Sequence, residues 1–443
     1  MGSTSPGGFA ALRHRNFRLY LVGQFVSQSG TWMQTVAMGW LVLKVTGSGA
    51  MLGLVTAAQF VPTLLLGAFA GAVADRRSRW HILQTTQILA GLIATFLGVM
   101  VVTDTIRIWS LFVLAAAFGT VNAFDTPVRS SFVYELVGPK DITGAVGIGS
   151  TTNNVSRILG PSLAGLLIAV AGLATPFFAN GASYLAAVVA LFLMRRSEFV
   201  PKEPAPKAKG QVREGIRVVW NDSRLRTPIL MTLVIGTLAY ENQIALPLIA
   251  RYTFDQGAGG YGVLSSALGV GSVIGGVLIA RFGRANHRRL GYAAFFLGAT
   301  MLIAAFMPSM VTMVIALFAV GAGSVAYITM NSATLQLNAP VEARGRVMAL
   351  YVTAIIGTTP IGGPIIGWIG QHIDARATYV TGGLACLLTA AVAWPSLRRS
   401  AEAQVSDEDA AGISSSSVLD AEALAGDLDS EVPLNLPRGA EER

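Results

Sequence analysis

Charge is scarce in this sequence: Asp, Glu, Lys and Arg make up 13% of the 443 residues, against roughly 25% in a soluble globular chain. Cysteine is scarcer still. The single Cys386 stands inside an apolar run, which excludes intrachain disulfides and a cysteine-based metal cluster. The four histidines, His14, His81, His287 and His372, are scattered, with no pair at the helical spacing of a metal site, so no metal or other cofactor is expected. No G-x-x-x-x-G-K-[ST] phosphate loop is present, nor a nucleophile–base–acid arrangement in a loop, which argues against an ATP-driven machine and against an enzyme.

What the chain has instead is apolar length. Hydrophobic residues make up 53%, mean hydropathy is +0.57, and the apolar residues fall into runs of about 20, enough to cross a bilayer core. The 49 glycines would weaken soluble helices, but in lipid they let helices approach closely. The pattern predicts an all-α membrane protein with twelve transmembrane helices, near 17–43, 51–74, 80–101, 107–127, 144–170, 175–194, 226–250, 260–281, 289–308, 311–331, 347–371 and 376–396. The first run follows Arg13, Arg15 and Arg18 and is too long for a signal-peptide core, so it reads as a span. Residues 1–194 and 226–399 form two six-helix bundles, joined by a basic linker, 195–225, that contains PKEPAPKAKG and, with Arg226, nine Lys/Arg. Residues 400–443, with a serine run and many carboxylates, read as a disordered acidic tail.

The net charge of +8 is arranged for topology rather than for nucleic acid, since no basic patch is interleaved with aromatics. With the N-terminus placed in the cytoplasm, 25 Lys/Arg fall on inner segments and four on outer loops: Lys44, Arg107, Arg251 and Arg376. The positive-inside rule then puts both termini in the cytoplasm of a multi-pass protein of the inner or plasma membrane. The partners expected are the lipid bilayer, a small-molecule substrate and protons, with the chain acting as a monomer.

The halves repeat. Gly71-Ala-Val-Ala-Asp75-Arg76-Arg77-Ser78-Arg79 follows the second helix of the first half, and Gly276-Val-Leu-Ile-Ala280-Arg281-Phe282-Gly283-Arg284 follows that of the second, 205 residues on. Gly160-Pro161 and Gly363-Pro364 mark the fifth helix of each half, 203 residues apart. Two markers at nearly one offset indicate a six-helix repeat with pseudo-symmetry.

Gly71-x-x-x-Asp75-Arg76-x-x-Arg79, with twelve helices and a long central loop, resembles the loop signature of the major facilitator superfamily over roughly residues 10–400. Asp125-x-Pro127 leading to Leu136-Val137, Asn154-x-x-Arg157-x-x-Gly160-Pro161, and Gln336 followed by Arg344-Gly345-Arg346-Val347-Met348 are similar to its exporter branch that includes the enterobactin exporter. The resemblance implies a secondary active transporter working by alternating access. A proton-coupled antiporter in efflux of a small amphipathic or siderophore-like molecule leads; a solute importer and a non-transporting membrane sensor are the rivals. It also implies a cytoplasmic gate of Gly71, Asp75, Arg76, Arg79, Asp125, Arg281 and Arg284, in which Asp125 pairs with Arg79 in the outward-facing state and Asp75 meets the end of a helix of the second half. Ala280 stands where that signature has Asp, so the second-half gate is expected to be weaker or differently built.

Polar residues at depth are the other candidates, because charge is expensive in a bilayer. Arg157 shares a helix face with Asn153 and Asn154; it either ties neighbouring helices or contacts substrate or a titrating carboxylate. Glu241, beside Asn242 and Gln243, is the acidic residue that falls deep in a span unless the seventh helix is short. A carboxyl group held away from water can exchange protons, as coupling requires, and nearby Pro247 can loosen the helix. Tyr20, Gln24, Ser27, Gln28 and Thr31 form a stripe on the first helix, suited to cavity lining or to interhelical hydrogen bonds. Asn122, Tyr327 and Asn331 are candidates of the same kind.

Overall fold

The computed structural model describes residues 9–200, 211–282 and 286–402. Among them the regular structure is helical throughout, with no strand. In a bilayer this is one of the two ways to satisfy every backbone N–H and C=O internally. The helices are α1 (Arg15–Thr46), α2 (Gly49–Arg76) and α3 (Arg79–Val102), then a 64-residue element, Ile108–Ala171. At about 1.5 Å per residue that element is far too long for one crossing. It breaks at Gly138, whose φ of 71° and ψ of −177° are not helical, and Pro139 follows it. Only glycine takes that conformation readily, and proline cannot donate to the preceding turn. The two arms are α4 (108–137) and α5 (139–171). Next come α6 (Thr175–Phe192), a short linker helix (Gln211–Asn221), α7 (Ser223–Thr253), α8 (Ala258–Phe282), α9 (His287–Ala305), α10 (Met310–Asn338), α11 (Arg344–His372) and α12 (Ala377–Glu402).

Nine described helices are long and apolar enough to cross a membrane, with the 64-residue element counted once. Its second arm, α1 and α9 bring the total to a number consistent with the expected twelve.

Three of the boundaries that differ from the sequence reading bear on the site, the linker and the tail. α4 runs ten residues past the expected end at 127, with Pro127 inside it, as membrane helices tolerate. α7 starts at Ser223 rather than 226, because the Asp222 side chain accepts from Arg224 N at 2.8 Å and caps it. The segment read as linker therefore contains a helix and the first turn of a span, while its residues 201–210 lie outside the described residues. Helix α12 reaches Glu402, and the acidic tail beyond it lies outside the described residues.

α1–α6 pack on one another and α7–α12 do likewise; the halves meet chiefly through α2 against α11 and α5 against α8. In the repeat, α5 corresponds to α11 and α2 to α8, so the two contacts are pseudo-equivalent. Both depend on glycine. A Cβ on Gly53 would lie 2.8 Å from Pro364 Cα, and one on Gly262 would lie 2.7 Å from the Pro161 carbonyl oxygen. The Gly-Pro markers of the repeat therefore stand where the halves touch backbone to backbone.

α7 is broken. Tyr240 and Glu241 leave helical geometry, the helix resumes at Asn242–Leu248, and a π-turn spans Ile249–Thr253 after Pro247. Such interruptions survive at membrane depth only where other helices cover them. Glu241 and the segment Ile244–Ala250 are indeed buried.

Candidate functional site

A cavity of about 620 Å³ lies in the first half, touched by Ile356 of the second, and is within the range of small-molecule sites. It runs from Phe17 and Leu21 near the start of α1, Arg129 and Val133 near the end of α4 and Ala145 and Gly149 near the start of α5, up to Thr31, Gln59 and Val121 at mid-helix. It therefore opens at the end of the bundle that carries Phe9 and Glu402, the first and last described residues.

The opposite end is sealed by bonds between the halves. Arg251 Nη1 donates to the Leu43 carbonyl (2.6 Å) and Tyr252 OH to the Gly47 carbonyl (2.9 Å). Ser48 Oγ donates to Gln371 Oε1 (2.6 Å), and the Ser162 and Ser266 hydroxyls meet at 2.7 Å.

The cavity wall is lopsided. Its lining comes from α1–α6 except for Ile356 of α11. Gln24 and Gln28 of α1, Gln59 of α2, Asn122 of α4 and Asn153 of α5 all line it, and no hydrogen bond of their side-chain amides to another described residue is recorded. Apolar Phe17, Leu21, Phe60, Val121, Val133 and Val146 lie between them. The surface is amphipathic, with free amide donors and acceptors set in hydrocarbon.

Beneath this surface lies a charged pair that the sequence reading had not assembled. The Asp125 carboxylate, 5% exposed, accepts from Thr86 Oγ1 at 2.8 Å, Gln87 Nε2 at 2.9 Å and Arg129 Nε at 2.7 Å, with a further bond from Arg129 Nη2. Gln87 in turn accepts from Ser27 Oγ at 3.1 Å. The chain Ser27–Gln87–Asp125–Arg129 thus ties α1, α3 and α4 together. Arg129 lines the cavity, and its Nη1 is buried without a partner among the described residues. A donor left unpaired in a binding wall is suited to an acceptor on a ligand.

The Asp125–Arg79 latch is an expectation for the outward-facing state, whereas the state seen here is open at this end. Arg79 pairs with Glu135 and Asp125 with Arg129. The cause is the length of α4: Asp125 lies twelve residues before its end, about 18 Å along the axis, while Glu135 sits at the end that meets the start of α3. The signal for Arg129 was in the sequence, four residues after Asp125 and so on the same helix face. Ending the helix at Pro127 concealed it. Of the other gate candidates, Arg281 is exposed and Gly71 makes no close packing contact. The side chains of Asp75 and Arg76, and Arg284 entirely, lie outside the described residues.

The first-helix stripe splits. Tyr20, Gln24, Gln28 and Thr31 reach the cavity. Ser27 is used up on Gln87, and Thr31 also meets the Tyr184 hydroxyl at 2.9 Å. Tyr327 and Asn331 do not line the cavity: Asn331 Nδ2 donates to Thr232 Oγ1 (2.8 Å), Tyr327 OH (3.0 Å) and the Pro228 carbonyl (3.2 Å), binding α10 to α7. Arg157 sits above it, its guanidinium 5.3 Å from the centre of the Trp32 ring, and neither it nor Asn154 lines the cavity.

Glu241 is buried among the described helices. It is 4% exposed at the break in α7, with Oε1 unpartnered, the Thr359 hydroxyl beside it and Gly362 of α11 against it. It lies in the sealed half rather than in the cavity. Among the described residues no cluster of His, Cys, Asp and Glu suits a metal ion.

Comparison with known proteins adds three findings. A family model described as a transmembrane secretion effector matches residues 6–431. The staphyloferrin A transporter of Staphylococcus aureus is 25% identical over 78% of this chain and 87% of its own, and the multidrug efflux pump Tap of Mycolicibacterium fortuitum is 24% identical over 85% and 94%. In fold, a bacterial homologue of the human lysosomal transporter Spinster, solved inward-facing and occupied, superposes with a TM-score of 0.67 at 16% identity, over 90% of this chain and 98% of that one.

Proposed function

The chain belongs to the transmembrane secretion effector family of the major facilitator superfamily, and on that premise we propose that it is a proton-coupled exporter of a small amphipathic, acceptor-bearing molecule. It is a multi-pass membrane transporter and not an enzyme. The observation that carries the reading is the amphipathic cavity, open at one end and sealed at the other, with the Asp125–Arg129 pair in its wall. The relatives named for a siderophore and for drugs fit the same chemistry, in which oxygen acceptors meet the free amides and Arg129 while apolar parts lie on Phe17, Phe60 and Val121.

With both termini in the cytoplasm, as the basic residues argue, the cavity faces the cytoplasm and loads from there. Parting of α2 from α11 and of α5 from α8 then opens the other end. Glu241 lies against α11 and Ile244 packs near Gly363, so the same movement brings outside water toward the carboxyl group. It takes up the driving proton there, and Arg157, at the junction of α1, α5 and α8, holds polar substrate groups or steadies the closing halves.

Substrate-loaded vesicles with an imposed pH gradient test export directly. Glu241→Gln mimics the protonated acid and is expected to abolish pH-driven transport while leaving substrate exchange down its own gradient. Proton release on substrate binding to purified protein decides the coupling residue: equal release from wild type and Glu241→Gln removes Glu241 and leaves Asp125 as the next carboxylate.

A further inference from the structure

The linker helix Gln211–Asn221 has three faces with three different chemistries. Gly215 and Val219, one turn apart, are buried against Arg346 and Leu350 at the start of α11 and in the apolar cluster with Leu225, Val347 and Tyr351. Ile216 and Trp220, also one turn apart, are 49% and 58% exposed. Arg213 and Arg217 form the next stripe round the helix and are exposed. The helix ends one residue before the Asp222 cap that starts the α7 span. It therefore sits at the level where hydrocarbon gives way to headgroups, with its apolar flank beside its basic one.

We propose that this helix docks on an anionic lipid surface, with Ile216 and Trp220 entering the interface and Arg213 and Arg217 meeting headgroup phosphates, and that its docking is coupled to the gate through α11. Charge complementarity selects the partner: an indole and a branched alkyl group beside two guanidiniums match an interfacial helix on charged lipid. A soluble partner of either charge would leave that flank and the adjoining bilayer unrelated. The coupling runs through Glu214, which pairs with Arg346 on the other flank. Arg346 is in the first turn of α11, the helix whose far half seals against α2. A shift of the linker helix in the membrane plane thus pulls on a helix that must tilt for the halves to rock. This inference does not depend on the substrate or on proton coupling.

The test uses full-length protein in a Cys386→Ser background, reconstituted into phosphatidylcholine vesicles with or without phosphatidylglycerol. Spin labels at 216 and 220 are expected to collide with oxygen in preference to an aqueous nickel chelate, and labels at 213 and 217 the reverse. Label mobility at 216 and 220, with Arg213 and Arg217 intact, is expected to fall when phosphatidylglycerol is present. A second pair of labels, at Arg77 and Arg281, reads the opening of the end that carries Phe9 and Glu402. Phosphatidylglycerol is expected to shift that distance distribution. Each of Arg213→Gln and Arg217→Gln is expected to weaken the lipid response about fivefold. Glu214→Gln is expected to keep the labels at depth yet uncouple the gate. Nickel access at 216 and 220 equal to that at 213 overturns the docking, and identical distributions in the two lipids overturn the coupling.

Discussion

Gly53→Ala is the sharpest perturbation of the seal between the halves. The added methyl would stand 2.8 Å from Pro364 Cα and close to the carbonyl of Gly363, whereas carbon atoms pack at roughly 3.5–4.0 Å. The shortfall is about 1 Å, and the obstructing atoms are backbone of α11, which cannot rotate aside. Overpacking of this kind costs about 1–3 kcal/mol. In the alternate state α2 and α11 separate and the methyl meets no obstacle, so the full cost falls on the state seen here. That moves the equilibrium between states by roughly 5- to 150-fold toward opening at the far end. Paired spin labels read it: Lys44 with Asp255 at the far end should gain a longer-distance population, and Arg77 with Arg281 a shorter one. Gly67→Ala supplies the control, because a Cβ there on the same helix meets nothing within 4 Å. Unchanged distributions in folded Gly53→Ala protein, or an equal shift in Gly67→Ala, would refute the assignment of the α2–α11 contact as a gate.

The Asp125–Arg129 pair is expected to couple strongly. Asp125→Asn alone should cost about 3 kcal/mol in thermal stability by leaving a buried guanidinium uncompensated, and the double variant with Arg129→Gln should lose less than the sum of the singles. Arg79→Glu combined with Glu135→Arg should recover transport that either single change loses; coupling between Arg79 and Asp125 variants in a double-mutant cycle would report their latch in the outward-facing state, and additive loss would argue against it. Gln24→Leu and Asn122→Leu should each raise the KM for an acceptor-bearing substrate by about fivefold, one hydrogen bond's worth, and leave a purely apolar dye unaffected, as measured by initial export rates.

The helices, their membrane setting and the repeat were fixed by local chemistry. Hydropathy over about 20 residues is a one-dimensional property, since lipid penalises each exposed polar group wherever it falls. The Gly-Pro markers at 160 and 363 were legible for the same reason, although only packing showed that they mark pseudo-equivalent contacts between the halves. Helix ends were harder to read. Pro127 stops a soluble helix but not a membrane one, so Asp125 looked shallow and its partner Arg129 looked like loop. Tertiary structure alone decided the rest. One polar stripe on α1 divides between Ser27, committed to Gln87, and Gln24 and Gln28, open to the cavity. Tyr327 and Asn331 are turned inward to bind α10 to α7, while nearly all the polar wall comes from the first half. A polar residue in a membrane helix must face something other than lipid, and the sequence states that requirement. Which neighbour satisfies it depends on how six helices rotate against one another, and that is settled by close contacts among residues distant in the chain.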